Sequence, residues 1–295
     1  MTAAQIATAL GGRREGREWR CPCPVHGGLN LLLADGRNGR LLATCFGGGC
    51  SWNEIYAALR EQGLIDGGPF EINPERQHEL RSRRETEART EIERLRRGIS
   101  AARDLYRPAM PATGTPVEAY LRSRGIGGSI PVVLCFLPHC PHRNGGYYPA
   151  MLAPIVNVDG YQIAVHKTFL SQEGGKADLP KGEQRETRGP MRGGAVRLAQ
   201  HQPDRELIVG EGIESTLSAM QLFRIPAWAA ICANGIETLD LPDAIRRIFI
   251  AADHDTIGLR AALLAQERWT SEGRSVRILR PPNPGEDFND ILLRG

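Results

Sequence analysis

Glu211, Asp253, Asp255 and Asp287 stand in three short acidic stretches, each placed just after an apolar run. Gly210-Glu211-Gly212-Ile213-Glu214 follows residues 207–209. Ala252-Asp253-His254-Asp255 follows residues 247–250, and Glu286-Asp287-Phe288-Asn289-Asp290 follows residues 276–279. A single carboxylate in such a place is usually a helix N-cap or a solvated loop group. Glu214, Glu286 and Asp290 read that way. Three sets after three strands ask for a common reason. Carboxylates gathered at one sheet edge repel one another unless cations neutralise them. Hard oxygen ligands that leave part of the coordination shell to substrate phosphate suit Mg2+ or Mn2+. The expected metal set is Glu211, Asp253, Asp255 and Asp287.

A second group wants a softer ion. Cys23 and His26 form a Cys-x2-His pair, and Cys45 and Cys50 a Cys-x4-Cys pair with glycines at 47–49. Two close pairs brought together by a hairpin make a tetrahedral, structural Zn2+ site without an open catalytic position. Cys21 is a spare thiol. It either replaces Cys23 or lies free beside the ion. Trp19, Phe46 and Trp52 surround these residues, as a small core or as a stacking surface for single-stranded nucleic acid.

The chain carries 37 basic residues, of which Lys167, Lys176 and Lys181 are the three lysines, and its net charge is only +3. Lysine is a point charge on phosphate where arginine is a planar fork. Lys167, Lys176, Lys181, Arg185 and Arg192 are the expected nucleic-acid or nucleotide contacts, with His166, Arg188 and Arg197 beside them. Seven cysteines argue against a disulfide framework. No stretch reads as a membrane span. Arg13 and Arg14 follow the mildly apolar first dozen residues, whereas a signal peptide carries its charges in front. A cytoplasmic protein is expected.

The elements that must hold these residues change character along the chain. Residues 1–66 read as a zinc-binding unit with a hairpin between 29–33 and 40–44, turning at 36–39, and a helix over 53–60. Residues 67–112 read as a charged helical linker. Between 75 and 107 ten arginines face seven acids, with few apolar positions. Residues 113–203 form a mixed α+β unit, with a helix over 117–124 and strands over 132–136, 153–156 and 161–165. Asp159-Gly160 is the turn of the last hairpin. From 204 to 295 strands and helices alternate: strands at 207–209, 227–231, 247–251 and 276–279, helices at 215–223 and 259–271. That alternation predicts a parallel sheet, with ligands at the carboxyl ends of its strands.

Glu211-Gly212 after a strand and Asp253-x-Asp255-x-x-Gly258 after another resemble the two signature motifs of the Toprim fold, shared by bacterial DNA primases, topoisomerases and some nucleases. Asn234-Gly235 resembles the turn between those motifs. The Cys-Pro-x-His pair and the later Cys pair resemble the zinc domain of bacterial primases. The residues Thr115-Pro116-Val117-Glu118-Ala119-Tyr120-Leu121 and Asp287-x-Asn289-Asp290 look most like Toprim primases of phages, plasmids and integrated elements. Two positions depart: Ser215 stands where many primases carry an Asp, with Glu214 one place early, and the second Cys pair is wider than usual.

The resemblance implies an α/β architecture: a Toprim parallel-sheet catalytic domain behind a mixed α+β subdomain and a small N-terminal zinc ribbon. It implies RNA primer synthesis on single-stranded DNA from nucleoside triphosphates, with a separate replicative helicase as partner. Two other readings compete. A Toprim nuclease uses the same carboxylates to cut DNA. A non-catalytic DNA-binding protein keeps the fold alone. A topoisomerase needs a gate domain for which the chain has no room, and no Gly-x4-Gly-Lys-Ser/Thr loop marks a fused ATPase.

Overall fold

The computed structural model describes residues 1–36, 40–65, 74–201 and 205–295, with the backbone alone over 74–81. The chain divides into two compact units, Met1–Arg84 and Glu85–Gly295.

The first unit starts with α1 (Ala3–Ala9), whose Thr2 and Gln5 close a capping box. An antiparallel sheet follows in the order β1 (Arg13–Glu15), β2 (Glu18–Cys21), β3 (Leu31–Asp35), β4 (Leu41–Cys45). α2 (Trp52–Glu61) is opened by a second capping box, Ser51 with Glu54. Alternation along β3 turns Leu31 and Leu33 inward, where they pack with Ile6, Ile55 and Leu59. The expected hairpin is β3–β4; most of its turn lies outside the described residues.

α3 (Pro74–Tyr106) is exposed over residues 82–94 and carries ion pairs such as Glu91–Arg94 and Glu93–Arg97. Its last turns differ. Ala102 is fully buried and Leu105 and Tyr106 are partly so, against the strands of the second unit. The stretch expected to be linker, 67–112, therefore contains residues of the second unit from Glu85 on. Three apolar residues near the end of a charged helix give it a packing face that its average composition conceals.

The second unit holds two sheets. β5 (Met110–Pro111), β6 (Cys135–Pro141), β7 (Tyr147–Val156), β8 (Gln162–Phe169) and β9 (Arg185–Arg188) pair antiparallel in chain order, with α4 (Pro116–Ser123) inserted after β5. β7 is buried on both faces. Met151, Ala153 and Ile155 join α4, while Ala150 and Leu152 face the core under α3. Two strands differ from expectation. β6 begins at Cys135, because Leu134 N–H bonds Pro131 O in a turn that leaves Val132 92% exposed. β7 is longer than 153–156, because Pro149 and Pro154 break up its apolar signal.

The remaining elements are β10 (Val196–Arg197), β11 (Glu206–Gly210), α5 (Ile213–Phe223), β12 (Ala227–Ala229), α6 (Ala233–Thr238), β13 (Arg247–Ala251), α7 (Thr256–Ser271), β14 (Ser275–Leu279) and α8 (Phe288–Arg294). The sheet order is β10-β12-β11-β13-β14, parallel except for the edge strand β10. Leu207 and Val209 face Ala262, Ala265 and Trp269 of α7. Ile208 faces the other layer, with Ala219 of α5 and Phe288 of α8. Ile213 and Leu217 of α5 share a core with α4 and β7, so both sheets rest on one apolar interior. Among the described residues no helix is long and apolar enough to cross a membrane.

Candidate functional site

Chain order along the sheet explains where the acids meet. β12 lies on one side of β11 and β13 on the other, so the strand order reverses there. In such sheets this crevice is where ligands bind. Gly210 and Ala251 are in register at the carboxyl ends of these two strands. Glu211 and Asp253 follow them. The loop after β14 delivers Asp287.

Burial pushes Asp253 up to about 7, helped by the charges of Glu211, Asp287 and Asp255. Burial and Asp255 raise Glu211 as well, against a hydrogen bond from Ala233 N–H and the charge of Arg185. Asp253 therefore feels the other three expected carboxylates, and Glu211 feels Asp255. Asp255 and Asp287 also cap helices. Asp255 Oδ1 accepts from Gly258 N (2.7 Å), and Asp287 Oδ1 from Asn289 N (2.7 Å) and Asp290 N (3.0 Å). The capping and ligating roles coexist, because each cap uses Oδ1 and leaves Oδ2 for an ion. A hard, oxygen-only, self-repelling donor set fits Mg2+ or Mn2+. Glu286 is outside it, paired with Arg294, and Asp290 closes the capping box on Asp287 N.

The loop after β12 clamps Glu211. Ile231 N–H donates to Glu211 O (2.8 Å), with Ile231 held at φ +75°, a strained region for a β-branched residue. A Cβ at Gly235 would stand 1.9 Å from Ala230 O, so the turn of α6 admits only glycine there.

Two residues at the start of α5 belong to this site although the sequence reading left them out. Ser215 Oγ donates to Asp253 Oδ1 (3.3 Å) and accepts from Phe288 N (3.3 Å), tying a strand-end acid to the start of α8. Glu214 is buried, not a solvated cap. Its Oε1 accepts from Tyr120 Oη (2.6 Å) and pairs with Arg185 Nη2 (2.9 Å). Burial raises this carboxyl, but Arg185 and Tyr120 outweigh that and hold it at about 2. The displaced acid, one place early, was the available signal.

The expected basic contacts separate. Lys167 is 5% exposed and is held by Glu186 and by Pro141 O (2.9 Å), beside the buried ring of His142. Its place on an inward position of β8 removes it from any phosphate-binding surface, which corrects the sequence reading. Arg185 keeps 43% of its side chain exposed while Glu214 grips its end. Lys176 is half-buried. Burial and neighbouring Arg185 and Arg124 lower its pKa, and Glu214 and Asp287 oppose that, which places it near the acids. Lys181 and Arg192 are exposed.

In the first unit, the ligand atoms of Cys23, His26, Cys45 and Cys50 all lie within 4.8 Å of one another. His26 Nε2 faces Cys45 Sγ at 3.0 Å, and Cys23 Sγ lies 3.9 Å from Cys50 Sγ. A Cβ at Gly48 would stand 2.4 Å from the His26 ring, so the knuckle wraps tightly around this point. Three thiols and an imidazole at that spacing fit Zn2+. Cys21 is not part of the group. Its thiol is buried against Leu31 O and burial pushes it up to about 11. Trp19 packs with the core, Trp52 packs against Tyr56 with the rings tilted at 43° and 5.7 Å apart, and Phe46 stands 67% exposed.

The Toprim domain family matches residues 206–295, and a domain of unknown function, DUF7146, matches residues 96–198. No curated protein matches the chain. Among solved structures it is similar to the DnaG primase catalytic domain bound to single-stranded DNA, at 18% identity over 68% of this chain and 76% of that one, with a TM-score of 0.47. It is similar also to the zinc-binding and RNA polymerase domains of Aquifex aeolicus primase, at 15% identity over 98% and 80%, TM-score 0.46. The primase fragment of the bacteriophage T7 primase-helicase is similar at 16% identity over 62% and 67%, TM-score 0.41. Residues 206–295 are a Toprim domain, preceded in this chain by a mixed α/β segment and by a Cys3His cluster of zinc-binding type.

Proposed function

We propose that this chain is a DNA primase that makes short RNA primers on single-stranded DNA, serving the replication of a phage, plasmid or integrated element. The observation that carries the reading is the convergence of Glu211, Asp253, Asp255 and Asp287 at the switch point of a Toprim sheet. Their mutual repulsion supports a divalent cation there. Mg2+ or Mn2+ would neutralise the charge developing on the α-phosphate and make the primer 3′-hydroxyl a better nucleophile, with pyrophosphate leaving. Glu211 and Asp253 offer oxygens from adjacent strand ends. Asp255 and Asp287 are aimed by the helices they cap. Ser215 keeps Asp253 turned toward the set. Lys176 and Arg185, beside the acids, are suited to the triphosphate, and exposed Lys181 and Arg192 to the template backbone.

In this reading residues 1–66 hold zinc and meet single-stranded template, with Phe46 the outward stacking side chain. Residues 113–203 supply the basic wall and 204–295 the chemistry. A separate helicase would present the template. The test is labelled ribonucleotide incorporation on single-stranded DNA, wild type against Asp255→Asn. Asparagine caps a helix as well as aspartate, so folding is kept. Short products from wild type, reduced at least about a thousandfold in the variant, are expected. Cleavage of the DNA without synthesis would point to the nuclease instead.

A further inference from the structure

Glu214 is an ion-paired carboxylate buried in the first turn of α5, three residues beyond Glu211, and the metal set does not use it. An acid in such a place is costly unless partners satisfy it. Both partners come from the other half of the unit: Tyr120 from α4, and Arg185 from the first position of β9. The start of α5 thus works in two directions. Ser215 reaches Asp253 and α8, while Glu214 reaches back to the basic wall. Gripped at one end, Arg185 still has 43% of its side chain exposed. It is long and flexible, and would otherwise spread over many rotamers. The pairing fixes it on the side of the crevice where its charge is felt by both Glu211 and Lys176.

We infer that Glu214 is a positioning residue for nucleoside triphosphate binding: with Tyr120 it locks Arg185 beside the carboxylate set, where the guanidinium receives substrate phosphate. This rests on the primase reading for the site's use, but the alignment is a property of the binding pocket and is measurable without synthesis. Fixing a charged fork in advance lowers the ordering cost of binding. Glu214 itself never meets the nucleotide.

The experiment is equilibrium binding of a fluorescent ATP analogue with magnesium to the full chain, comparing wild type, Glu214→Gln, Arg185→Ala, the double variant and Tyr120→Phe. Glu214→Gln and Arg185→Ala should each weaken binding about tenfold, and the double variant no further, because both remove one shared interaction. Tyr120→Phe keeps the ion pair and should lose about threefold or less. Where the chain polymerises, the same loss should appear in KM with kcat nearly kept. Independent losses that multiply in the double variant, or unchanged binding in Glu214→Gln with its fold verified by circular dichroism, overturn the inference. Failure of wild type to bind the nucleotide overturns it too. Tight, Glu214-dependent binding without primer synthesis would sink the primase reading and leave this one standing.

Discussion

The Cys3His cluster and the carboxylate cluster are both candidate metal sites, yet they are built in opposite ways. The first gathers its four ligand atoms within 4.8 Å, from one stretch between Cys23 and Cys50, so that a tetrahedral ion would close it completely. Among the described residues no other group of three or more such side chains is drawn so close. The second draws on three separate strand ends, Glu211, Asp253 with Asp255, and Asp287. It keeps its members near enough for the charges of the others to raise Asp253, and that of Asp255 to raise Glu211, but not in one tight knot. Soft ligands in a closed knot make a structural staple; hard ligands in an open arc leave room for a substrate's phosphates. Proximity in sequence marks the staple, and topology marks the reactive site.

The contrast breaks hardest at Cys45→Ser. Structural zinc contributes about 10 kcal/mol or more of folding free energy in small modules. The variant should lose its zinc by elemental analysis, and residues 1–65 should become protease-sensitive while wild type carries about one zinc per chain. Full zinc content in the variant would remove Cys45 from the site. A smaller effect separates two lysines that look alike in sequence. Lys167→Ala takes its main partner from the part-buried Glu186, which keeps Arg143 and His142, and should cost about 2 kcal/mol in thermal or urea unfolding. Lys176→Ala should cost within about 0.5 kcal/mol while weakening triphosphate binding. Reversed results would mean that the buried ammonium, not the crevice one, meets the substrate.

The parallel sheet was legible because residues 207–209, 247–250 and 276–279 are apolar runs of strand length, separated by helical spacing. The acids that follow them were legible for the same reason, since a sheet of this kind displays what comes after its strands. The Cys3His cluster was legible from pair spacing, and the structure decides between Cys21 and Cys23: Cys23 joins the group, while the Cys21 thiol turns to Leu31 O. What stayed hidden depends on three-dimensional pairing. Nothing local distinguishes Lys167 from Lys176; the difference is that β8 turns Lys167 inward, toward Glu186. Glu214 looks like a first-turn helix acid until Tyr120 and Arg185, far away in sequence, arrive beside it. The packing end of α3 was masked by the charge of its exposed length, and Ser215 by the expectation of an acid in its place.

In the proposed function Glu211, Asp253, Asp255 and Asp287 share one divalent cation. The most direct measurement of that sharing is Mn2+ titration of the zinc-loaded chain, followed by electron paramagnetic resonance at pH 6 and pH 8. Asp253 is raised to about 7, so its proton competes with the ion below that pH and leaves it free to bind above. Binding should therefore tighten from pH 6 to pH 8 in wild type. It should be weaker by about tenfold or more in Asp287→Asn, the variant farthest along the chain from Glu211, and lose its pH dependence in Asp253→Asn. Equal Mn2+ affinity in wild type and Asp287→Asn, or affinity that ignores pH across this window, would contradict a shared site.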